Sequence, residues 1–109
     1  MKDSDKILIE LELYPIVKLL IESQYETEGI INSEIKESNR IIFKDREKAI
    51  SMVREAIVNF SIEQKVDMLE VTYVLMSILE EKMKLNSDSK EEYRQTKNIV
   101  LMIDDMERY

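Results

Sequence analysis

Four acidic residues in the middle of the chain have the type and spacing to bind a cation or a basic partner. Glu63, Asp67 and Glu70 are four and three residues apart, so a helix would place them on one face, and Glu81 falls on the same line. Carboxylates aligned in this way can hold Mg²⁺ or Mn²⁺, or can pair with the cations of another protein. We take Glu63, Asp67, Glu70 and Glu81 as candidate partner-binding residues, with a metal site as the alternative.

The metal alternative has a family precedent. All-α nucleotide pyrophosphohydrolases of the MazG type hold magnesium on acidic pairs from adjacent helices, and the segment VDMLEVTYVLMSILEE resembles one of their helices in general pattern. That family requires E-x-x-E or E-E-x-x-E on one helix and E-x-x-D on the next, whereas Gln64 stands here where an acid would pair with Asp67. The preceding segment, REKAISMVREAIVNF, has no matching acidic face. The resemblance implies only an alternative function, a magnesium-dependent nucleotide hydrolase.

The chain contains no Cys and no His. Disulfides, thiol nucleophiles, histidine general bases and zinc sites built from these residues are therefore excluded. The hydroxyl groups of Ser and Thr lack the imidazole that commonly activates them. We expect a protein that is not an enzyme and that uses no cofactor.

The net charge of −7 disfavours general affinity for nucleic acid or for an anionic membrane. The basic segment KESNRIIFKDREK carries Arg40, Lys44, Arg46 and Lys48, but acids are interleaved with them, so direct nucleic-acid binding is not expected. We expect instead a partner protein with a basic or apolar surface. A small acidic inhibitor or adaptor fits this pattern, including one of the phage or mobile-element kind that occupies a nucleic-acid-binding groove with carboxylates in place of phosphates.

The sequence gives no sign of export or of membrane insertion. The start MKDSDKILIE lacks the features of a signal peptide, and the longest uncharged stretch, VTYVLMSIL, is far shorter than the ~20 residues that span a bilayer. The absence of Cys fits a reducing compartment. We expect a cytoplasmic protein without a membrane partner.

Helical periodicity dominates the second half of the chain. Asp45 is a good N-cap for a helix with Ala49, Ile50, Val53, Ala56, Ile57 and Phe60 along one side. The capping-box pattern SIEQ at 61–64 predicts the start of a long central helix over about 62–85, apolar nearly all round. A second capping pattern, Ser89 with Glu92, predicts a last helix over about 90–109. That helix should bury Tyr93, Ile99, Val100, Ile103 and Met106 and expose Arg94, Lys97, Asp104 and Arg108, and Met76 and Met102 should also lie in the core.

The first half of the chain has two interpretations. Ile7, Ile9, Leu11 and Leu13 alternate as in a strand, yet Ile9, Leu13, Ile16, Val17 and Leu20 fall at helical spacing. We favour a helix over 5–13, broken or kinked at Pro15, and a second helix from Pro15 to about Tyr25. The alternative is a strand over 7–13 paired with RIIF at 40–43, which would be a very small sheet. TEGIINSEIKE at 27–37 is a candidate short helix capped by Thr27.

Together these patterns predict one all-α domain over 1–109, a small bundle of four to five helices, with short extended pieces at 7–13 and 40–43 as the alternative. Val58 and Leu101 fall on otherwise polar helix faces. They indicate more apolar surface than the helices can cover, so we also predict a homodimer or a groove for a partner helix.

Overall fold

The computed structural model describes residues 3–27, 41–86 and 90–108. In chain order its elements are α1 (Asp3–Leu8), a π-helical turn (Ile9–Leu13), α2 (Tyr14–Glu22), β1 (Tyr25–Thr27), β2 (Ile41–Phe43), α3 (Arg46–Gln64), α4 (Met68–Leu85) and α5 (Lys90–Glu107). The predicted small all-α bundle is therefore confirmed. Most of the candidate helix at 27–37, and the capping role of Ser89, lie outside the described residues.

Residues 3–22 form one N-terminal helical segment that contains a π turn just before Pro15. The Tyr14 N–H donates to the carbonyl oxygen of Ile9, five residues back. Pro15 has no N–H and its ring crowds the carbonyl four residues before it, so a wider turn accommodates it without ending the helix. The helix predicted over 5–13 is confirmed, and the strand alternative for 7–13 is wrong.

A short antiparallel ladder joins β1 to β2. Tyr25 is opposite Phe43 and Thr27 is opposite Ile41, and the Lys44 N–H extends the ladder by donating to the Gln24 carbonyl at 2.8 Å. The extended piece predicted near 40–43 is thus confirmed, but it pairs with 25–27. Because β1 begins at Tyr25, α2 ends earlier than predicted, at Glu22.

The long central helix predicted over 62–85 begins later, at Met68. α3 starts after its predicted cap Asp45, continues through Ser61 and ends at Gln64. Lys65 then takes a left-handed conformation with φ 56° and ψ 46°, and Asp67 caps α4 by accepting from the Leu69 N–H at 2.8 Å. The prediction was wrong because Asp67 and Glu70 form a competing capping pattern six residues after Ser61.

The core lies where the N-terminal helical segment, α3, α4 and α5 meet. α4 and α5 pack together along much of their length. Side chains from all four parts are fully buried, including Ile9, Leu13, Val17, Ile21, Val53, Ile57, Val71, Leu75, Leu79, Ile99, Val100 and Ile103. Removing this much aliphatic surface from water is the main stabilising term of the fold.

Several predicted burial states differ in the structure. Ile99, Val100 and Ile103 are buried as predicted, and Met76 packs partly buried against the core. Asp104, predicted to be exposed, is buried, whereas Met102 and Met106, predicted to be core residues, are 36% and 52% exposed. α5 is therefore rotated so that its methionine side faces solvent and one carboxylate faces α4. Within the described residues, no helix is both long enough and apolar enough to cross a membrane.

Candidate functional site

A groove of about 530 Å³ lies between the N-terminal helical segment and α3. Its apolar surface comes from Leu13, Ile16, Leu20, Met52, Ala56 and Phe60, and its polar surface from Glu12, Glu55, Asn59 and Glu63. Leu13 and Phe60 also belong to the core, so the floor of the groove is continuous with the packed interior. A concave apolar floor with few polar groups is the usual form of a binding site.

The sequence builds both walls of the groove from helical stripes. Glu12, Ile16 and Leu20 recur every four residues on one wall. On α3, the lining residues from Met52 to Glu63 recur at intervals of three and four residues, which is the repeat of one helix face. Because both walls are helices anchored in the core, the groove is held by regular structure.

The groove is acidic. Glu12, Glu55 and Glu63 are exposed carboxylates, and none of the lining residues that the structure describes is a cation. Within the described part of the chain, these carboxylates form no ion pair. As far as the described residues go, the groove thus presents negative charge without a neighbouring cation around an apolar floor.

The candidate residues from the sequence do not form one stripe. Glu63 lies at the end of α3 and lines the groove, whereas Asp67 follows the helix break and its carboxylate caps α4. Glu70, in the first turn of α4, lines a different depression. Glu81 lies eleven residues further along α4, about 16 Å away at the helical rise. Of the four, only Glu63 lines the groove between the N-terminal helical segment and α3.

The second depression, of about 490 Å³, lies beside the start of α4. It is lined by Asp3, Lys6, Leu69, Glu70, Tyr73, Val74 and Arg108. Among its described lining residues, acids and cations are equal in number, in contrast to the groove. The Tyr73 side chain is 68% exposed at its edge, although the sequence places this residue on an apolar helix side.

Next to this depression, the Asp104 carboxylate is buried between α4 and α5. It accepts from the Thr72 hydroxyl at 2.6 Å and from the Arg108 Nε at 2.8 Å. The hydrogen bond from Thr72 lowers the pKa of Asp104, burial opposes this effect, and Arg108 adds to the lowering. Asp104 is a buried, ionised and hydrogen-bonded group that ties the two helices together, so we assign it a structural role.

The acidic residues do not assemble into a metal centre in the described part of the chain. Among residues 3–27, 41–86 and 90–108, no group of three or more carboxylates is placed to hold a metal ion. Comparison of the chain with protein-family models, with curated proteins and with solved structures finds no match.

Sequence reasoning missed two of the three groove carboxylates, Glu12 and Glu55. Glu55 lies eight residues, or about two helical turns, before Glu63. The α3 sequence alone therefore indicates that the two carboxylates share a helix face. Glu12 could not be assigned in the same way, because it comes from a helix whose packing against α3 is a tertiary property. A spacing argument within one helix cannot identify a groove formed by two.

Proposed function

We propose that the protein is a non-enzymatic binding module whose groove receives a basic amphipathic helix of a partner protein. The observation that carries the proposal is the combination of an apolar floor with Glu12, Glu55 and Glu63 and, among the described lining residues, no cation. An amphipathic helix laid into such a groove would place its apolar residues against Ile16, Leu20 and Met52. Its Lys or Arg residues would then reach the carboxylates at the margin.

Each part of the groove has a distinct role in this interaction. The apolar floor supplies most of the binding free energy, because burial of apolar surface is the general driving force of association. The carboxylates select a basic partner and accelerate encounter, since rim charges act mainly on specificity and on association rate. By binding a basic helix of its partner in this way, the protein would act as an inhibitor or an adaptor.

The test uses a synthetic helical peptide of roughly 18 residues, long enough for about five turns, with Leu on one face and Lys on the other. We expect fluorescence anisotropy to show saturable binding by the full chain. Glu55→Lys combined with Glu63→Lys should weaken binding at least tenfold, because two attractive contacts become repulsive. Ala56→Arg should weaken it independently by filling the floor of the groove.

A matched control has the same change in charge at a distance from the groove. Glu70→Lys combined with Glu81→Lys alters the net charge by the same amount but leaves the groove lining intact. If this control variant loses affinity to the same degree as the groove variant, binding follows net charge alone and the proposal fails. Equal binding of a peptide with Glu in place of Lys would also overturn it.

The alternative function, a magnesium-dependent nucleotide hydrolase, has no matching carboxylate group among the described residues. Incubation of the pure protein with nucleoside triphosphates and Mg²⁺ separates the two functions. Turnover that is lost in Glu63→Gln or Glu70→Gln would replace the binding proposal with an enzymatic one.

A further inference from the structure

A second apolar surface runs along the outer side of the N-terminal helical segment. Ile7, Leu11 and Leu19 are 56%, 69% and 67% exposed. With Pro15 they recur every four residues, just as Ile9, Leu13, Val17 and Ile21 do on the buried side. We call Ile7, Leu11, Pro15 and Leu19 the outer stripe.

The π turn keeps the outer stripe on one side of the helix. A spacing of four residues drifts by about 40° per step around an ordinary α-helix, which has ~3.6 residues per turn. The wider turn at Ile9–Leu13 removes part of this drift in the middle of the segment. The segment consequently presents apolar side chains on two opposite sides, and the core covers only one of them.

A row of residues beside the outer stripe also recurs every four positions. Its central member is Tyr14, and the charged residues on either side of Tyr14 alternate between cation and anion. Glu10 and Lys18 lie four residues before and after Tyr14, and Lys6 and Glu22 lie eight residues before and after it. All four are exposed, and within the described residues none of them forms an ion pair. Reversing the direction of the helix about Tyr14 therefore exchanges each acid with a base.

From this arrangement we propose that the outer stripe is a self-association surface on which two copies of the chain pair antiparallel. A twofold axis at the level of Tyr14 places Glu10 beside Lys18 of the second copy and Lys6 beside Glu22 of the second copy. By symmetry each of these pairs forms twice. The outer stripes pack against each other alongside these ion pairs, with Ile7 near Leu19 of the second copy.

The charge pattern selects this occupant and this direction. A parallel pair would place this row of charges opposite the other flank of the second copy, where Leu8, Glu12, Ile16 and Leu20 offer one carboxylate and no cation, so no reciprocal ion pairs would form. The interface is small, since one helix pair covers less than the ~800 Å² per partner of a typical stable dimer. A weak dimer is therefore expected, with a dissociation constant above about 1 μM, the weak end of the range for interfaces of standard size.

Disulfide trapping tests the direction of pairing, because the chain has no natural Cys. The full chain is prepared as two variants, Ile7→Cys and Leu19→Cys, which are oxidised separately and as a mixture. Antiparallel pairing predicts a mixed dimer in the mixture and little dimer from either variant alone. Leu85→Cys, at a 74% exposed position on α4, is the matched control and should not cross-link with either.

Charge exchange provides a second, independent measurement by sedimentation equilibrium. Lys18→Glu should raise the dimer dissociation constant several-fold, because it faces Glu10 of the second copy. Adding Glu10→Lys to it should restore association, which a merely destabilising change would not do. A monomer at all concentrations up to 1 mM, a homodimer of Ile7→Cys alone, or equal cross-linking of the Leu85→Cys control would each overturn the proposal.

Discussion

At the residue scale, the hydrogen bond from the Thr72 hydroxyl is the main interaction that keeps the buried Asp104 carboxylate ionised. This hydroxyl has one proton and two acceptors within reach, the Asp104 carboxylate at 2.6 Å and the Leu69 carbonyl at 3.0 Å. A bond from a hydroxyl to a carboxylate is shorter and stronger than one to a neutral carbonyl. The Thr72 hydroxyl therefore donates its hydrogen bond to Asp104, and this bond links α4 to α5 in the interior.

Replacing Asp104 should alter the pH dependence of stability. The pKa of Asp104 is lowered in the folded protein, first of all by the Thr72 hydrogen bond. The ionised group therefore stabilises the fold above the pKa of an unfolded Asp, near 4, and this contribution is lost as the pH falls through the lower folded value. Asp104→Asn should reduce the free energy of unfolding at pH 7 by about 1 to 3 kcal/mol and flatten its decline between pH 5 and pH 2. Urea unfolding across this range measures both effects.

Glu80 provides the control for this experiment. Its pKa is also lowered, by the hydrogen bond and the charge of Lys97, but it lies at the surface. Glu80→Gln should therefore leave the fall in the free energy of unfolding between pH 5 and pH 2, the acid limb, almost unchanged. An equally steep acid limb in Asp104→Asn would contradict the assignment of Asp104 as a stabilising buried carboxylate.

The sequence could not reveal Asp104, because the residue that stabilises it is 32 positions away. Its neighbours Ile103 and Val100 were correctly predicted as buried from helical spacing alone. An acid on the border of an apolar stripe is normally solvated, and only a buried donor on another helix makes burial favourable. Periodicity thus predicts which side of a helix is apolar, but not which polar group is included in it.

At the scale of elements, local signals predicted the helices well where a single signal was present. The Asp45 cap is observed, with its carboxylate accepting from the Lys48 N–H at 3.0 Å, and α5 begins at Lys90 as expected. Around 61–67 two capping patterns compete, and the one at Asp67 is used. The sequence does not predict the left-handed backbone conformation at Lys65, because this conformation is usually taken by Gly or Asn.

The capping role of Asp67 predicts a specific loss of stability. Asp67→Ala removes the acceptor for the Leu69 N–H and should lower the free energy of unfolding by about 1 kcal/mol, the usual value for an N-cap. Glu81→Ala, an acid of the same helix with no such contact, should change it by less than about 0.5 kcal/mol. Chemical denaturation of both variants measures the difference. Equal stability of the two would show that the Asp67 carboxylate is not a cap and would restore it as a free partner-binding group.

The two-sided periodicity of the N-terminal helical segment explains why its sequence had two interpretations. Ile7 and Leu11 face outward while Ile9 and Leu13 face the core, so consecutive apolar residues alternate in the sequence as in a strand. A helix with apolar residues on opposite sides gives this pattern when a second surface needs covering. The ambiguity in the sequence and the exposed outer stripe thus have the same physical cause.

At the scale of the whole molecule, charge governs the two proposed interactions in opposite ways. Binding of a basic helix joins unlike charges, whereas self-association brings together two chains of net charge −7. Two such charges about 25 Å apart repel by roughly 8 kcal/mol in water without salt. The reciprocal ion pairs at the outer stripe are exposed, and pairs of that kind contribute only about 0 to 1 kcal/mol each. Long-range repulsion therefore outweighs them at low ionic strength.

Added salt should consequently shift the two equilibria in opposite directions. The Debye length falls from about 30 Å at 0.01 M to about 8 Å at 0.15 M, which screens repulsion across the whole molecule more than contacts within a helix pair. Between these concentrations we expect the affinity for the Leu and Lys peptide to fall at least several-fold, and the dimer to become tighter. Fluorescence anisotropy and sedimentation equilibrium on the same samples measure both. If self-association weakened with salt as peptide binding does, local ion pairs would dominate the outer stripe and its apolar residues would not drive pairing. If peptide affinity did not change, the groove would bind through its apolar floor alone and the three carboxylates would have no part in selecting the partner.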